Sequence, residues 1–139
     1  MTDIIEDYLA VFRNISRGSL PRLHNLCTPD LQFRDPFNDV RGIEPVIHMF
    51  LRMFDVLDEP KFLILNHVAS GAVCYVRWQF QFRRRGQPAE YSIDGMSELR
   101  IAPDGRIAGH FDYWDSGMGI FAKIPVLGFF IRQIAKRMA

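Results

Sequence analysis

The sequence predicts an α+β fold in which helices cover one face of a strongly curved sheet. Two observations lead there. Apolar residues recur mainly at helical spacing before Pro60, with one short alternating stretch at 31–35, and beyond Pro60 they alternate as in strands. The strands are joined by hairpins too short for anything but antiparallel neighbours, so the helices must pack on a sheet face. At 139 residues and 48% hydrophobic side chains, the chain suits one domain, 1–139, with a sizeable core. Aromatic residues reach 13%, and 12 are Phe, more ring area than a small core needs, so some rings are free to line a cavity.

Ile4, Ile5, Tyr8, Leu9, Phe12 and Ile15 predict a first helix, capped by Asp3 or Thr2, with Glu6 three residues after Asp3, and ending near Gly18. A second short helix is expected from Leu20 to Cys27, with Pro21 in its first turn. Leu31, Phe33 and Asp35 alternate with Gln32 and Arg34 as a short strand that Pro36 stops. Gly42 precedes a helix over 43–57, and Pro60 closes the linker after it. Strands follow over 61–68, 71–83, 90–101 and 106–115. The turns between them include Arg84–Pro88, carrying Gly86, and Pro103-Asp104-Gly105. Residues 117–138 return to helical spacing, interrupted at Pro125 and Gly128, as a C-terminal helical tail.

The net charge of +1 asks for neither nucleic acid nor an acidic partner. Cys27 and Cys74 belong to no C-x-x-C pair and read as core thiols in a reducing compartment. Thr2 to Asp7 is polar and acidic, unlike a signal peptide, and Ile124–Ile131 is too short to span a bilayer, so a cytoplasmic protein is expected. No Gly-rich phosphate loop or nucleophile elbow is present, and no cofactor is expected.

Strand parity locates the candidate chemistry. Cys74, Val76, Trp78, Phe80 and Phe82 share one face of their strand. Tyr91, Ile93, Gly95, Ser97, Leu99 and Ile101 share one face of the next. In the last strand, one face holds Ile107, Gly109, Phe111 and Tyr113, and the other Ala108, His110, Asp112 and Trp114. Periodicity leaves open which of these two turns inward. If the second does, an imidazole and a carboxylate enter an aromatic interior. A carboxylate there is costly unless paired, and low dielectric pushes such an acid toward the proton-transfer range. Asp35, His110 and Asp112 are therefore the candidate catalytic residues. As three metal ligands they lack any supporting H-x-x-x-H or cysteine cluster, so no metal is expected.

The chain resembles the nuclear transport factor 2-like superfamily, in its ketosteroid isomerase and SnoaL-like cyclase branch. The resemblance is carried by Asp35-Pro36-Phe37, by Arg41-Gly42 before a helix, by the hairpin Leu99-Arg100-Ile101 to Asp104-Gly105-Arg106-Ile107, and by Tyr113-Trp114. It implies a cone-shaped curved antiparallel sheet, N-terminal helices over its concave face, a deep pocket, and a homodimer through the outer sheet face. It places Asp35 where ketosteroid isomerase has its general base, and Asp112 where SnoaL-like cyclases carry an acid/base aspartate, with His110 as helper. It also turns Trp78, Phe80, Phe82, His110, Asp112 and Trp114 inward. Val11 and Ser97 stand where ketosteroid isomerase has its oxyanion-hole tyrosine and protonated aspartate, which argues against 3-oxosteroid isomerisation. Phe12, Phe37, Phe54, Trp78, Phe80, Ser97 and Trp114 are the expected contacts of an apolar ligand.

Each candidate has a plainer alternative. Asp35 can serve as a turn acceptor before Pro36, and His110 with Asp112 as an inert buried pair. Trp78, Phe80 and Phe82 can be simple core. Three function classes follow: a cofactor-independent isomerase, cyclase or hydratase; a non-catalytic hydrophobic-ligand-binding module; and an interaction scaffold. In the tail, only four bases and the break at Pro125 favour a helix packed over the pocket mouth or in a dimer seam, against a membrane-surface helix.

Overall fold

The computed structural model describes residues 3–139. Helix α1 (Ile4–Arg13) is capped by the Asp3 carboxylate, which accepts from Ile5 N–H at 2.9 Å; the alternative cap, Thr2, lies outside the described residues. The helix stops at Asn14, short of the predicted end near Gly18. Glu6 does not close a capping box. It reaches Arg13 and, across to the sheet, His67, each at 3.2 Å.

A 3₁₀ turn (Leu20–Arg22) runs into α2 (Leu23–Leu26), and Cys27 already belongs to strand β1 (Cys27–Arg34). This strand starts four positions before the predicted one. Pro29 is accommodated because the ladder to the neighbouring strand skips from Cys27 to Gln32. A short strand β2 (Asp39–Arg41) turns back on β1.

Helix α3 (Ile43–Val56) leads directly into β3 (Leu57–Ser70), with no linker between. The expectation that Pro60 closes a linker is corrected. Pro60 sits inside β3, where the pairing jumps from Asp58 to Lys61 and Glu59 takes a positive φ of 52°. An outer strand tolerates the missing N–H at such a bulge, and β3 is an outer strand. Strands β4 (Val73–Arg84), β5 (Glu90–Ile101) and β6 (Ile107–Trp114) follow as predicted.

The sheet order is β2-β1-β6-β5-β4-β3. Hairpins make the sequential pairs antiparallel, and β1 enters parallel to β6. The curved sheet holds its core on the concave side, where α1 lies against β3, and α3 against β1 and β3. Tyr8, Leu9, Val11, Phe12, Leu31, Val46, Phe50, Val76 and Leu99 are buried there. After β6 come α4 (Ser116–Gly119), a 3₁₀ turn (Phe121–Lys123) and α5 (Leu127–Met138). Gly128, expected as an interruption, lies inside α5; a Cβ on it would stand 2.1 Å from the Ala122 carbonyl oxygen.

Both cysteines are free and buried. Burial pushes the Cys27 thiol from 9.0 up to about 12, with Arg106 opposing. The folded state thus favours the neutral thiol. The stabilisation this brings is complete below pH 9.0 and is lost as pH rises toward about 12. Burial raises Tyr8 in the same sense. The urea midpoint should therefore fall steadily across that window, and Cys27→Ala should flatten the slope; an unchanged midpoint would show that neither group is shielded.

Candidate active site

Strand β6 resolves the parity question left by the sequence. His110, Asp112 and Trp114 face the concave side, and Tyr113 is exposed on the convex one. Phe111 shares the convex face yet stays buried, because the guanidinium groups of Arg34 and Arg100 cover its ring at 4.8 and 4.4 Å.

His110 is held in a ring of aromatic side chains. Phe33, Phe12 and Tyr8 stand 4.9, 5.4 and 5.8 Å from its centroid. Its Nδ1 lies 2.6 Å from the Tyr8 hydroxyl and its Nε2 2.7 Å from Asp112 Oδ1. Donor and acceptor requirements order these contacts into one chain. The Trp78 indole N–H can only donate, and it meets Ser97 Oγ at 2.8 Å. Ser97 then donates its own proton to Asp112 Oδ1. An ionised carboxylate only accepts, so His110 presents Nε2–H to it. Burial holds the Tyr8 phenol well above its ordinary pKa, with smaller contributions from Cys27 and Asp112. The phenol therefore keeps its proton, and its hydroxyl is the partner of Nδ1. One oxygen of Asp112 is thus fixed by two donors. Among the described residues no hydrogen bond engages Oδ2, and Oδ2 is not sealed from solvent: the one fully buried side-chain polar atom without a partner is Thr28 Oγ1.

Two hollows meet at Asp112. The inner one, about 20 Å³, lies between Tyr8, Phe12, Trp78, Ser97 and His110 and has room for a single water at most. The outer one, about 540 Å³, is of the size small organic ligands occupy. Phe33, Phe37, Met49, Met53, Phe62, Trp78, Phe80, Phe82, Ile93 and Trp114 give it apolar walls, and Asp35, Asn38, Arg52 and Asp112 are its polar lining. Trp78, Gly95 and Trp114 stand side by side across three strands. Gly95 leaves room for the Trp78 indole, whose ring carbons would lie 2.3–2.8 Å from a Cβ there.

The predicted residues therefore divide. His110, Asp112, Ser97 and Trp78 are joined by hydrogen bonds. Asp35 borders the outer cavity with Asp112, but its carboxylate closes its own turn: Oδ1 accepts from the backbone N–H of Phe37 at 2.8 Å and of Asn38 at 2.7 Å, and both oxygens receive the Asn38 side chain. Phe37 forms the lip, edge-on to Trp114 at 5.4 Å and to Phe121 at 5.7 Å. Phe12 faces only the inner hollow. Phe54 lines neither hollow; its ring lies beneath Arg17. Tyr8 is the member of the site that sequence reasoning missed. It stands one helical turn before Val11, in a stripe that reads as plain core. The available signal was chemical: a buried phenol needs a partner. Among the described residues no three His, Cys, Asp or Glu side chains are placed to hold a metal ion.

The model of the SnoaL-like domain family matches residues 5–110. No curated protein is significantly similar in sequence. Similar solved structures include a hypothetical protein of ketosteroid isomerase-like fold from Catenulispora acidiphila DSM 44928, in complex with trimethylamine, at 15% identity and TM-score 0.73, covering 88% of this chain and 92% of that one. A candidate SnoaL-like polyketide cyclase from Jannaschia sp. CCS1 superposes at 17% identity and TM-score 0.70, covering 81% and 85%. An LEH-like epoxide hydrolase from M. tuberculosis does so at 19% and 0.68, covering 85% and 84%. At these identities the likeness is one of fold.

Tyr8→Phe should leave Nδ1 buried without a partner, costing about 1–3 kcal/mol of stability. The nitrogen chemical shift of His110 Nδ1 should change with the loss of that partner. Unchanged shifts would mean that Asp112 alone orients the ring.

Proposed function

The chain belongs to the SnoaL-like domain family, and from that membership and the site geometry we propose that it binds an apolar small molecule and acts on it by cofactor-independent acid–base chemistry of the isomerase, cyclase or hydratase type. One observation carries this reading. Asp112 has one oxygen fixed by Ser97 and His110, while the other has no hydrogen-bond partner among the described residues, at the edge of an apolar cavity of about 540 Å³. A base needs an available lone pair in a fixed place, and this arrangement supplies one.

In the proposed step, Oδ2 takes a proton from a carbon next to a carbonyl, or from a water attacking the ligand. The resulting O–H returns the proton to another carbon or to a departing oxygen, so no external acid is consumed. His110 Nε2 and Ser97 O–H hold the carboxylate in place before the abstraction and again after the return, and Tyr8 steadies the imidazole from its other nitrogen. Trp78, Phe80 and Trp114 exclude water. Asp35, whose lone pairs are spent on its own turn, shapes the mouth in this reading. The cyclase-like and epoxide hydrolase-like proteins of similar fold support the idea that this scaffold hosts such chemistry. Among the described residues, the cavity's donors able to steady a developing oxyanion are Asn38 and Arg52, beside the two acids. That scarcity favours a second reading, in which the ligand is held but not converted.

Native mass spectrometry of the purified protein should identify the ligand. Asp112→Asn should retain it and lower turnover by about 10²-fold or more. Retained turnover would place the base elsewhere, and ligand without turnover in the wild type would establish the binding module.

We also propose a homodimer through the convex sheet face, where Tyr75, Met96 and Tyr113 stand exposed. The wild type should sediment as a dimer and Tyr113→Glu as a monomer; a monomeric wild type would overturn this.

A further inference from the structure

Helix α5 presents its apolar stripe to water. At 100° per residue, Leu127, Phe130, Ile131, Ile134 and Met138 fall on one side. Phe130 and Ile134 are 57% and 59% exposed, and Leu127 and Met138 are exposed too. The helix rests on α4 and the 3₁₀ turn before it, and its point of close approach is the bare backbone of Gly128 against Ala122. Arg132 pins this seat by donating to the Ala122 carbonyl at 2.7 Å. No residue of α5 lines the cavity, so the expected helix packed over the pocket mouth is not what forms. Charge is also one-sided. Beyond Asp115 there is no acidic side chain; of the four cations there, Lys123 stands over the Tyr91 ring and Arg132 holds Ala122, while Lys136 and Arg137 stand at the end of α5.

We propose that α5 is a docking helix for an anionic lipid bilayer surface, lying in the interface with its apolar stripe in the acyl boundary and its cations at the headgroups. Charge selects this occupant. A second copy of α5 offers no acidic side chain to pair with its cations, whereas anionic headgroups match both stripe and charge. With 12 residues the helix lies on the surface; among the described residues none is long and apolar enough to cross a membrane. Docking would also bring the cavity lip close to the lipid, since Phe121, in the turn before α5, packs on Phe37. That last orientation rests on the ligand-binding reading above; the docking itself does not.

The full-length protein should co-sediment with phosphatidylcholine vesicles containing one-third phosphatidylserine, not with phosphatidylcholine alone, and less as salt rises. Each cation near such a surface strengthens binding about fivefold, so Lys136→Glu with Arg137→Glu should weaken it by roughly 25-fold or more. Phe130→Gln with Ile134→Gln should abolish it with unchanged melting and oligomeric mass, because both side chains are exposed. Asp112→Asn should bind vesicles like the wild type, which separates failure of the catalytic reading from failure of this one. Indifference of the wild type to phosphatidylserine would overturn the proposal. So would a change of oligomeric mass in the Phe130/Ile134 variant, which would show that a second copy covers the stripe.

Discussion

A carboxylate among phenylalanine and tryptophan rings persists only where hydrogen bonds hold its charge, and that constraint organises this molecule. Asp112 is satisfied through Ser97 and His110, and those in turn through Trp78 and Tyr8. The five residues come from α1, β4, β5 and β6, so the chain of donors closes only when helix and strands sit in one register. A slip of a single residue in β6 would exchange His110 and Asp112 for Phe111 and Tyr113. Hydrophobic burial drives the sheet and helices together; the polar chain determines which of several greasy arrangements is the native one.

The two aspartates at the cavity show how little residue type alone decides. Asp35 and Asp112 both border the same apolar hollow. The first lies before a proline, in a turn whose free backbone N–H groups claim it. The second lies in a regular strand, where backbone donors are already used by the ladder, and only side chains can reach it. Those side chains engage one oxygen and leave the other available.

Much of this was legible in the sequence where the signal is local. Alternation over β4 and β5, the Pro103-Asp104-Gly105 turn and the helical spacing over α3 gave elements close to those observed. The inward turn of β6 was not legible from periodicity, because both of its faces carry aromatic rings; the outward Phe111 is hidden by arginines from neighbouring strands that the sequence does not place beside it. Strand β2 is three residues long and carries no pattern of its own. Pro60 read as a linker because its tolerance inside a strand depends on β3 being at the edge, a property of topology. Tyr8 was absorbed into a core stripe, since nothing near it announces an imidazole so far along the chain.

The parallel seat of β1 beside β6 governs how the chain must assemble. Its neighbour is the last strand to emerge from the ribosome, and Tyr8 waits for a histidine 102 positions later. Local hairpins can form early, but this long-range closure carries the loop entropy of nearly the whole chain. The hydrogen-bonded chain around His110 is complete only once that closure is made, and until then the apolar faces of α1, β1 and α3 lack the sheet that covers them.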